Sequence, residues 1–182
     1  MSDYSDSELL DKFRDEPTRN YAFNLLVRKY QQKLYWHIRR IVIDHDDAND
    51  VIQNTFIKVW KGLNGFREAA QLYTWLYRIA TNEALTFIKQ KKVSLFVSFD
   101  DVSHELSNTL ESDAHFNADK IQLKLQQAIL TLPEKQRIIF NMRYYDEMTY
   151  EEISAVLETT VGGLKASYHH AVKKIESFFK ED

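Results

Sequence analysis

The amino-acid sequence predicts an all-α protein: two small helical domains joined by a flexible acidic linker, with a helix-turn-helix in the second domain. Its 182 residues include only 4 Gly and 2 Pro, which disfavours a turn-rich β architecture. Apolar residues recur at the three- to four-residue spacing of a helical face in both halves of the chain. Between the halves, residues 93–119 carry six acidic side chains, no Lys or Arg and no sustained helical period.

We therefore predict a first domain at residues 1–92, a linker at 93–119 and a second domain at 120–182. In the first domain a short helix near residues 7–14 precedes long helices at about 21–43, 46–63 and 73–91. Asp46 or Asp47 is expected to cap the second long helix, and Gly62 and Gly65 to end it. The predicted apolar stripe of that helix consists of Ile52, Phe56, Val59 and Leu63.

The second domain has the signals of a helix-turn-helix. An amphipathic helix from about residue 121 ends before Pro133, which opens the next helix. Thr149 and Glu152 have the spacing of a capping box at the start of a short helix. Thr159 or Thr160 then caps a last helix, whose predicted inner stripe is Leu164, Tyr168, Ala171, Val172, Ile175 and Phe179. In a helix-turn-helix the second helix enters the DNA major groove.

Composition and motifs exclude several classes of protein. The absence of Cys excludes disulfides and thiolate zinc sites and favours the cytoplasm, and no apolar segment approaches the ~20 residues that span a bilayer. The acidic run at residues 44–47 lacks the spacing of a calcium loop. We find no catalytic constellation and expect no enzyme activity, metal or cofactor. A net charge of −3 argues against a protein that simply coats nucleic acid.

Two surfaces have the composition of nucleic-acid sites. The outward face of the last helix suits duplex DNA; it carries Lys165, Ala166, His169, His170 and Lys173, with Gly162 and Gly163 at its start. The helix at 73–91 places Arg78, Asn82 and Lys89 on one strip, close to Tyr73, Trp75 and Tyr77. Aromatic rings beside cations suit a single strand. The alternatives are a solvated basic face and aromatic residues that belong to the core.

Several ordered motifs resemble a sigma factor of bacterial RNA polymerase, of the extracytoplasmic-function (ECF) type in the sigma-70 family. Residues 47–60 are similar to the family's polymerase-binding segment, and residues 66–67 with 73–82 to its promoter-melting segment. Residues 132–137, 150–153 and 161–165 are similar to its domain four. The chain departs from the family pattern at 68–70, where Glu-Ala-Ala replaces Gly-Asp-Ser, and at Ser167, His170 and Val172, which are often Arg. Different base preferences are therefore expected.

The resemblance implies a specificity subunit without an active site. It implies that the first domain docks on the β′ clamp coiled coil of core RNA polymerase, through Asp50, Gln53, Asn54, Ile57 and Lys61. It implies capture of the single-stranded minus-ten element by Arg67, Ala70, Tyr73, Trp75, Arg78, Asn82 and Lys89. The last helix would contact the minus-thirty-five duplex, and the second domain the β flap. An anti-sigma factor is an expected partner, and the acidic linker is expected to lie in the RNA channel of the polymerase.

Four alternatives stay open at this point. The acidic linker could be a solvated tether instead of a segment that lies in the RNA channel. Ile57 could pack against its own domain instead of a partner. The chain could be a helix-turn-helix regulator that acts on duplex DNA without core polymerase. It could also be a helical hydrolase that uses the acidic residues from Asp44 to Asp47.

Overall fold

The computed structural model describes residues 4–67, 71–95, 108–109 and 119–180, and within them it shows helices and turns but no strand. The all-α prediction is confirmed. The helices are α1 (Asp6–Arg14), α2 (Arg19–Val42), α3 (His45–Gly62), α4 (Leu72–Leu95), α5 (Lys120–Leu130), α6 (Glu134–Tyr144), α7 (Tyr150–Leu157) and α8 (Val161–Lys180). Short 3-10 turns follow α1 at Glu16–Thr18 and α3 at Leu63–Gly65.

Side-chain caps set the beginnings of the helices in the first half. Ser5 and Glu8 form a capping box at the start of α1. At the start of α3 the cap is Asp44, whose carboxylate accepts hydrogen bonds from the backbone N–H groups of Asp46 at 2.9 Å and Asp47 at 3.0 Å. The predicted cap, Asp46 or Asp47, was wrong. Asp44 has the extended backbone of an N-cap, whereas the two later residues already lie inside the helix.

The connection between α2 and α3 is a tight turn at Ile43. The N–H of Asp44 donates to the carbonyl of Val42 at 2.8 Å, and Ile43 between them has φ 67° and ψ −45°. This is a γ-turn that is uncommon for a β-branched residue. The Ile43 side chain is only 1% exposed, and we attribute the stability of the turn to this burial. The turn sets the angle at which α3 folds back on α2.

The buried face of α3 differs from the predicted apolar stripe. Its buried residues are Ala48, Val51, Thr55 and Val59, while Ile52 and Phe56 are only partly buried. Thr55 is fully buried because its hydroxyl donates to the carbonyl of Val51 at 2.8 Å, which satisfies the polar group within the helix. The apolar side chains of Ile52 and Phe56 are thereby left along a groove at the surface.

In the second half, α7, a three-residue turn and α8 form the predicted helix-turn-helix. The capping box of Thr149 and Glu152 is present, and Thr160 caps α8 by accepting from the N–H of Gly163 at 3.2 Å. A small core joins α5, α6 and α8 through Ala128, Ile129, Leu132, Phe140, Ala171 and Ile175. Phe179 was predicted on the inner stripe but is 37% exposed, because the neighbouring Phe178 packs against this core in its place.

The two halves are packed together. Helix α4 lies against α7 and α2 lies against α6, and one apolar cluster includes Leu34 and Tyr77 together with Ile138, Met148 and Val156. Helix α4 continues to Leu95, beyond the limit at residue 92 predicted for the first domain. The predicted division into two domains remains a prediction.

No helix in the described part of the chain is long and apolar enough to cross a membrane.

Candidate functional site

The outward face of α8 is accessible along its length. Each residue predicted to face duplex DNA is exposed, namely Gly162, Gly163, Lys165, Ala166, His169, His170 and Lys173. A Cβ on Gly163 would lie 3.1 Å from Oγ1 of its cap, Thr160, whereas a Cβ on Gly162 would meet nothing within 4 Å. Gly163 thus serves the tight turn, and Gly162 leaves the first turn of α8 open to a close neighbour.

The helix-turn-helix holds α8 firmly against α7. The Ser154 hydroxyl donates to the carbonyl of Thr159 at 2.6 Å across the turn. The ammonium of Lys165 lies 5.7 Å from the centre of the Tyr150 ring, so the stem of this exposed cation follows an aromatic surface. Leu164 and Ile153 are fully buried between the two helices. This packing presents the basic face as a rigid unit.

The predicted single-strand strip lies on one face of α4. Arg78, Asn82 and Lys89 share this face because their spacing is close to whole turns of a helix. Asn82 and Lys89 are exposed. The guanidinium of Arg78 is engaged by the second half: Nη1 donates to the Glu158 carboxylate at 3.1 Å, and Nη2 donates to the carbonyl of Ala155.

The aromatic residues next to this strip are partly buried. The Trp75 ring lies 5.1 Å from the Phe66 ring and against Gly62, where an added Cβ would come within 3.1 Å of it. The Tyr73 ring lies 4.5 Å from that of Tyr77. Burial raises the pKa of Tyr73, and the nearby carboxylates of Asp146 and Glu152 raise it further. Arg67 is exposed, and Ala70 lies outside the described residues.

The predicted polymerase-binding residues Asp50, Gln53, Asn54, Ile57 and Lys61 are all exposed on α3, and Ile57 is 51% exposed. Gln53 and Ile57 border an open apolar groove of about 880 Å³ between α2 and α3. Its walls are Phe23, Val27, Gln31, Gln32 and Tyr35 from α2, and Asn49, Ile52, Gln53, Phe56, Ile57 and Trp60 from α3.

Sequence analysis missed the aromatic part of this groove. The Phe23 ring lies 4.9 Å from the Trp60 ring and 6.4 Å from the Phe56 ring, both edge to face. Trp60 is 36% exposed although it is a large apolar residue. Phe56 and Trp60 are four residues apart, a spacing that places both on the same face of α3, so the sequence did contain a signal for this surface. None of the lining residues is charged.

The acidic run at the start of α3 has structural contacts. Asp44 caps the helix, and the Asp47 carboxylate accepts from the ammonium of Lys91 on α4 at 2.9 Å. Among the described residues, no three His, Asp or Glu side chains are close enough to hold a metal ion. These contacts do not favour the hydrolase alternative.

An all-helical fold with an exposed basic helix after a capped turn defines a helix-turn-helix protein. Comparison with known proteins gives the family. The family model of Sigma-70 region 2 matches residues 26–93, and that of Sigma-70, region 4 matches residues 122–175. The RNA polymerase sigma-H factor of Pseudomonas aeruginosa is 30% identical over 97% of this chain and 94% of its own length. The ECF RNA polymerase sigma-E factor of Escherichia coli is 31% identical over 86% of this chain and 85% of its own.

Two solved structures share the fold. CnrH in complex with the cytosolic domain of CnrY has a TM-score of 0.71, at 20% identity, over 96% of both chains. The sigma factor RpoE of Bartonella quintana, in complex with the anti-sigma factor NepR, has a TM-score of 0.68, at 19% identity, over 88% of this chain and 98% of its own.

The chain therefore belongs to the sigma-70 family, in its ECF group. It is an RNA polymerase sigma factor, which directs core polymerase to promoters and initiates transcription. The family consists of initiation factors that are not enzymes. Family membership decides against the alternative of a regulator that acts without polymerase.

Proposed function

We propose that this sigma factor divides its work between two domains, residues 1–92 and 120–182. The first docks on the β′ clamp coiled coil and captures the unwound minus-ten strand, and the second contacts the minus-thirty-five duplex and the β flap. The observation that carries this proposal is the apolar groove beside Ile57, because it gives the first domain a surface for a protein partner separate from the α4 strip.

The groove suits a helical partner. It is open and largely apolar, it lies between α2 and α3, and amides such as Gln31 and Gln53 border it without charge. Amphipathic helices bind such grooves by inserting their apolar side chains. Ile57 and Trp60 offer apolar surface that the isolated chain leaves in water. Asp50, Asn54 and Lys61 are exposed nearby on α3 and provide polar contacts at the rim.

The strip on α4 suits an unpaired strand. Arg78 and Lys89 supply positive charge for phosphates, and Asn82 between them can donate to and accept from a base edge. Tyr73 and Trp75 present partly exposed rings near the N-terminal end of the same helix. Arg67 and Ala70 complete the proposed minus-ten surface from the preceding loop.

The exposed face of α8 suits duplex DNA, because Lys165 and Lys173 lie on it and its N-terminal turn is open at Gly162. An anti-sigma factor is a further proposed partner. Support comes from the two solved structures of similar fold, which are both complexes, one of them with a named anti-sigma factor. The acidic linker is proposed to lie in the RNA channel of the polymerase; most of it falls outside the described residues.

The test is transcription with reconstituted core polymerase on a fully paired promoter and on the same promoter with a pre-melted minus-ten bubble. We expect Asn82→Ala to reduce open-complex formation on both templates if Asn82 holds the strand, and on the paired template alone if it acts only in melting. Gln90→Ala is the matched control, since Gln90 is also exposed on α4 but is not part of the strip. A wild-type level of open complexes for Asn82→Ala on both templates would contradict the proposal.

A further inference from the structure

The contact between the two halves of the chain contains a buried charged junction. Asp146, in the connection between α6 and α7, has a side chain that is 5% exposed. Its carboxylate accepts from Nδ1 of His37 at 2.8 Å and from Nη1 of Arg40 at 3.1 Å. His37 is fully buried, and its Nε2 lies 2.9 Å from the hydroxyl oxygen of Thr81 on α4. One carboxylate of the second half is thus bonded to two side chains of α2, and one of these also bonds to α4.

A second contact lies where the proposed strand surface meets the helix-turn-helix. Glu158 and the Ala155 carbonyl hold the two terminal nitrogens of Arg78. A carboxylate and a phosphate are both anionic acceptors that match the guanidinium fork. In this arrangement Glu158 therefore takes the nitrogen that a strand phosphate would take. The carboxylate of Glu152 adds negative charge near Tyr73, at the N-terminal end of the same helix.

The backbone at Glu158 supports a role for its side chain. Glu158 ends α7 in the left-handed conformation, with φ 53° and ψ 41°. Glycine or asparagine is favoured at such a position, and another residue there is strained. The glutamate is nonetheless the residue that reaches across to α4. Glu147 has the same φ of 53° and is exposed, but no hydrogen bond or ion pair joins it to another described residue.

We propose that Asp146 and Glu158 hold the free protein in a closed state, in which its own helix-turn-helix covers part of the strand-capturing face of α4. The inference rests on the proposed role of α4. In the closed state Arg78 is occupied, while Asn82 and Lys89 stay exposed, so single-stranded DNA binds weakly. Separation of α7 from α4 frees Arg78 and lets the two DNA-binding surfaces act at different promoter elements.

The first arm of the test measures separation without DNA. Because the full chain contains no Cys, Asn24→Cys and Lys174→Cys place spin labels at one exposed position in each half. We expect a single narrow distribution of distances for the parent protein and longer, broader distances for Asp146→Ala and Glu158→Gly. Glu147→Gly is the matched control, since it relieves the same backbone strain without touching α4. Unchanged distances in both Asp146→Ala and Glu158→Gly would overturn the proposal.

The second arm measures binding of an unpaired DNA oligonucleotide by fluorescence anisotropy. An exposed ion pair such as Arg78–Glu158 contributes little, so Glu158→Gly is expected to tighten binding up to about fivefold. Asp146→Ala removes two buried charge-assisted bonds and is expected to tighten it about 10- to 100-fold. Glu147→Gly is expected to bind like the parent. Circular dichroism checks folding, and Glu158→Gly covers the case in which Asp146→Ala does not fold.

The two arms separate this inference from the proposed function. If the label distances lengthen but the DNA affinity is unchanged, while Asn82→Ala still weakens strand binding, then the helix-turn-helix does not cover the strand-capturing face of α4. If the distances lengthen but neither Arg78→Ala nor Asn82→Ala reduces the DNA affinity, the closed state held by Asp146 and Glu158 is supported and the proposed strand surface is contradicted. Longer distances together with tighter, Arg78-dependent binding would support both.

Discussion

Ile57 offers a direct test of the groove as the polymerase-docking surface. In the free protein its side chain is 51% exposed at the edge of the groove, so about half of its surface is still available for burial. Full burial of such a side chain contributes about 1.5–3 kcal/mol. A partner that covers the exposed half therefore gains about 1 kcal/mol, and Ile57→Ala is expected to weaken binding to core polymerase about fivefold.

Charge at the same position has a larger effect. Ile57→Asp places a carboxylate where the partner excludes water, and nothing on the walls of the groove is charged to pair with it. We expect at least a 100-fold loss of affinity, a cost of about 3 kcal/mol. Affinity is measured by titrating fluorescently labelled sigma factor with core enzyme. Ile121→Ala is the control, because Ile121 is 70% exposed on α5, away from the groove.

Urea unfolding separates docking from packing within the domain. A half-exposed residue on a helix surface contributes little to folding, so Ile57→Ala is expected to change the free energy of unfolding by less than about 1 kcal/mol. A loss of more than that, with unchanged affinity for polymerase, would show that Ile57 serves its own domain. The same affinity for Ile57→Asp and the parent would refute the groove as the docking surface.

Three further predictions concern capping, ionisation and duplex binding. Thr149→Ala removes the capping box of α7 and is expected to lower the free energy of unfolding by about 1 kcal/mol in urea; no change would show that the cap is dispensable. Burial raises the pKa of Tyr145 to about 12 and also raises that of Tyr77. Since these groups ionise near 10.0 when unfolded, the stability that they contribute is complete below that pH and falls as the pH rises from about 10 to 12. Tyrosinate absorbance is therefore expected to rise together with the loss of helix, and free titration of all tyrosines in the folded protein would contradict the reasoning. Lys173→Ala is expected to lower the salt dependence of minus-thirty-five duplex binding by about one unit, whereas Lys174→Ala, the neighbouring control, leaves it unchanged.

Local patterns determined much of the fold. The spacing of apolar residues placed the helices to within a few residues, because each helix must bury one stripe. The pair Thr149 and Glu152 identified the start of α7, since the capping box is a contact within four residues of sequence. The outward face of α8 could be predicted from a helical projection because helical periodicity is also a local property, and the residues of this face are exposed in the structure.

Patterns of apolar residues failed where polar groups are satisfied locally. On α3 the buried face includes Thr55, whose hydroxyl bonds within the helix, whereas Ile52 and Phe56 are only partly buried. A hydropathy pattern assigns Thr to the polar face and cannot anticipate this bond. The groove with Phe56 and Trp60 on one wall is the consequence, and it changes the chemistry of the proposed docking surface from polar to largely apolar.

The sequence by itself determined an all-helical chain with a helix-turn-helix, and the order of its motifs indicated the sigma factor family that the comparisons then showed. Only the tertiary structure decided how the two halves meet. Asp146 is more than 100 residues from His37 and Arg40, and Glu158 is 80 residues from Arg78. No local spacing encodes such pairs, because they depend on how whole helices pack. Arg78, which a helical projection assigns to a DNA strand, is therefore bonded to Glu158 and to the Ala155 carbonyl in the second half of the chain.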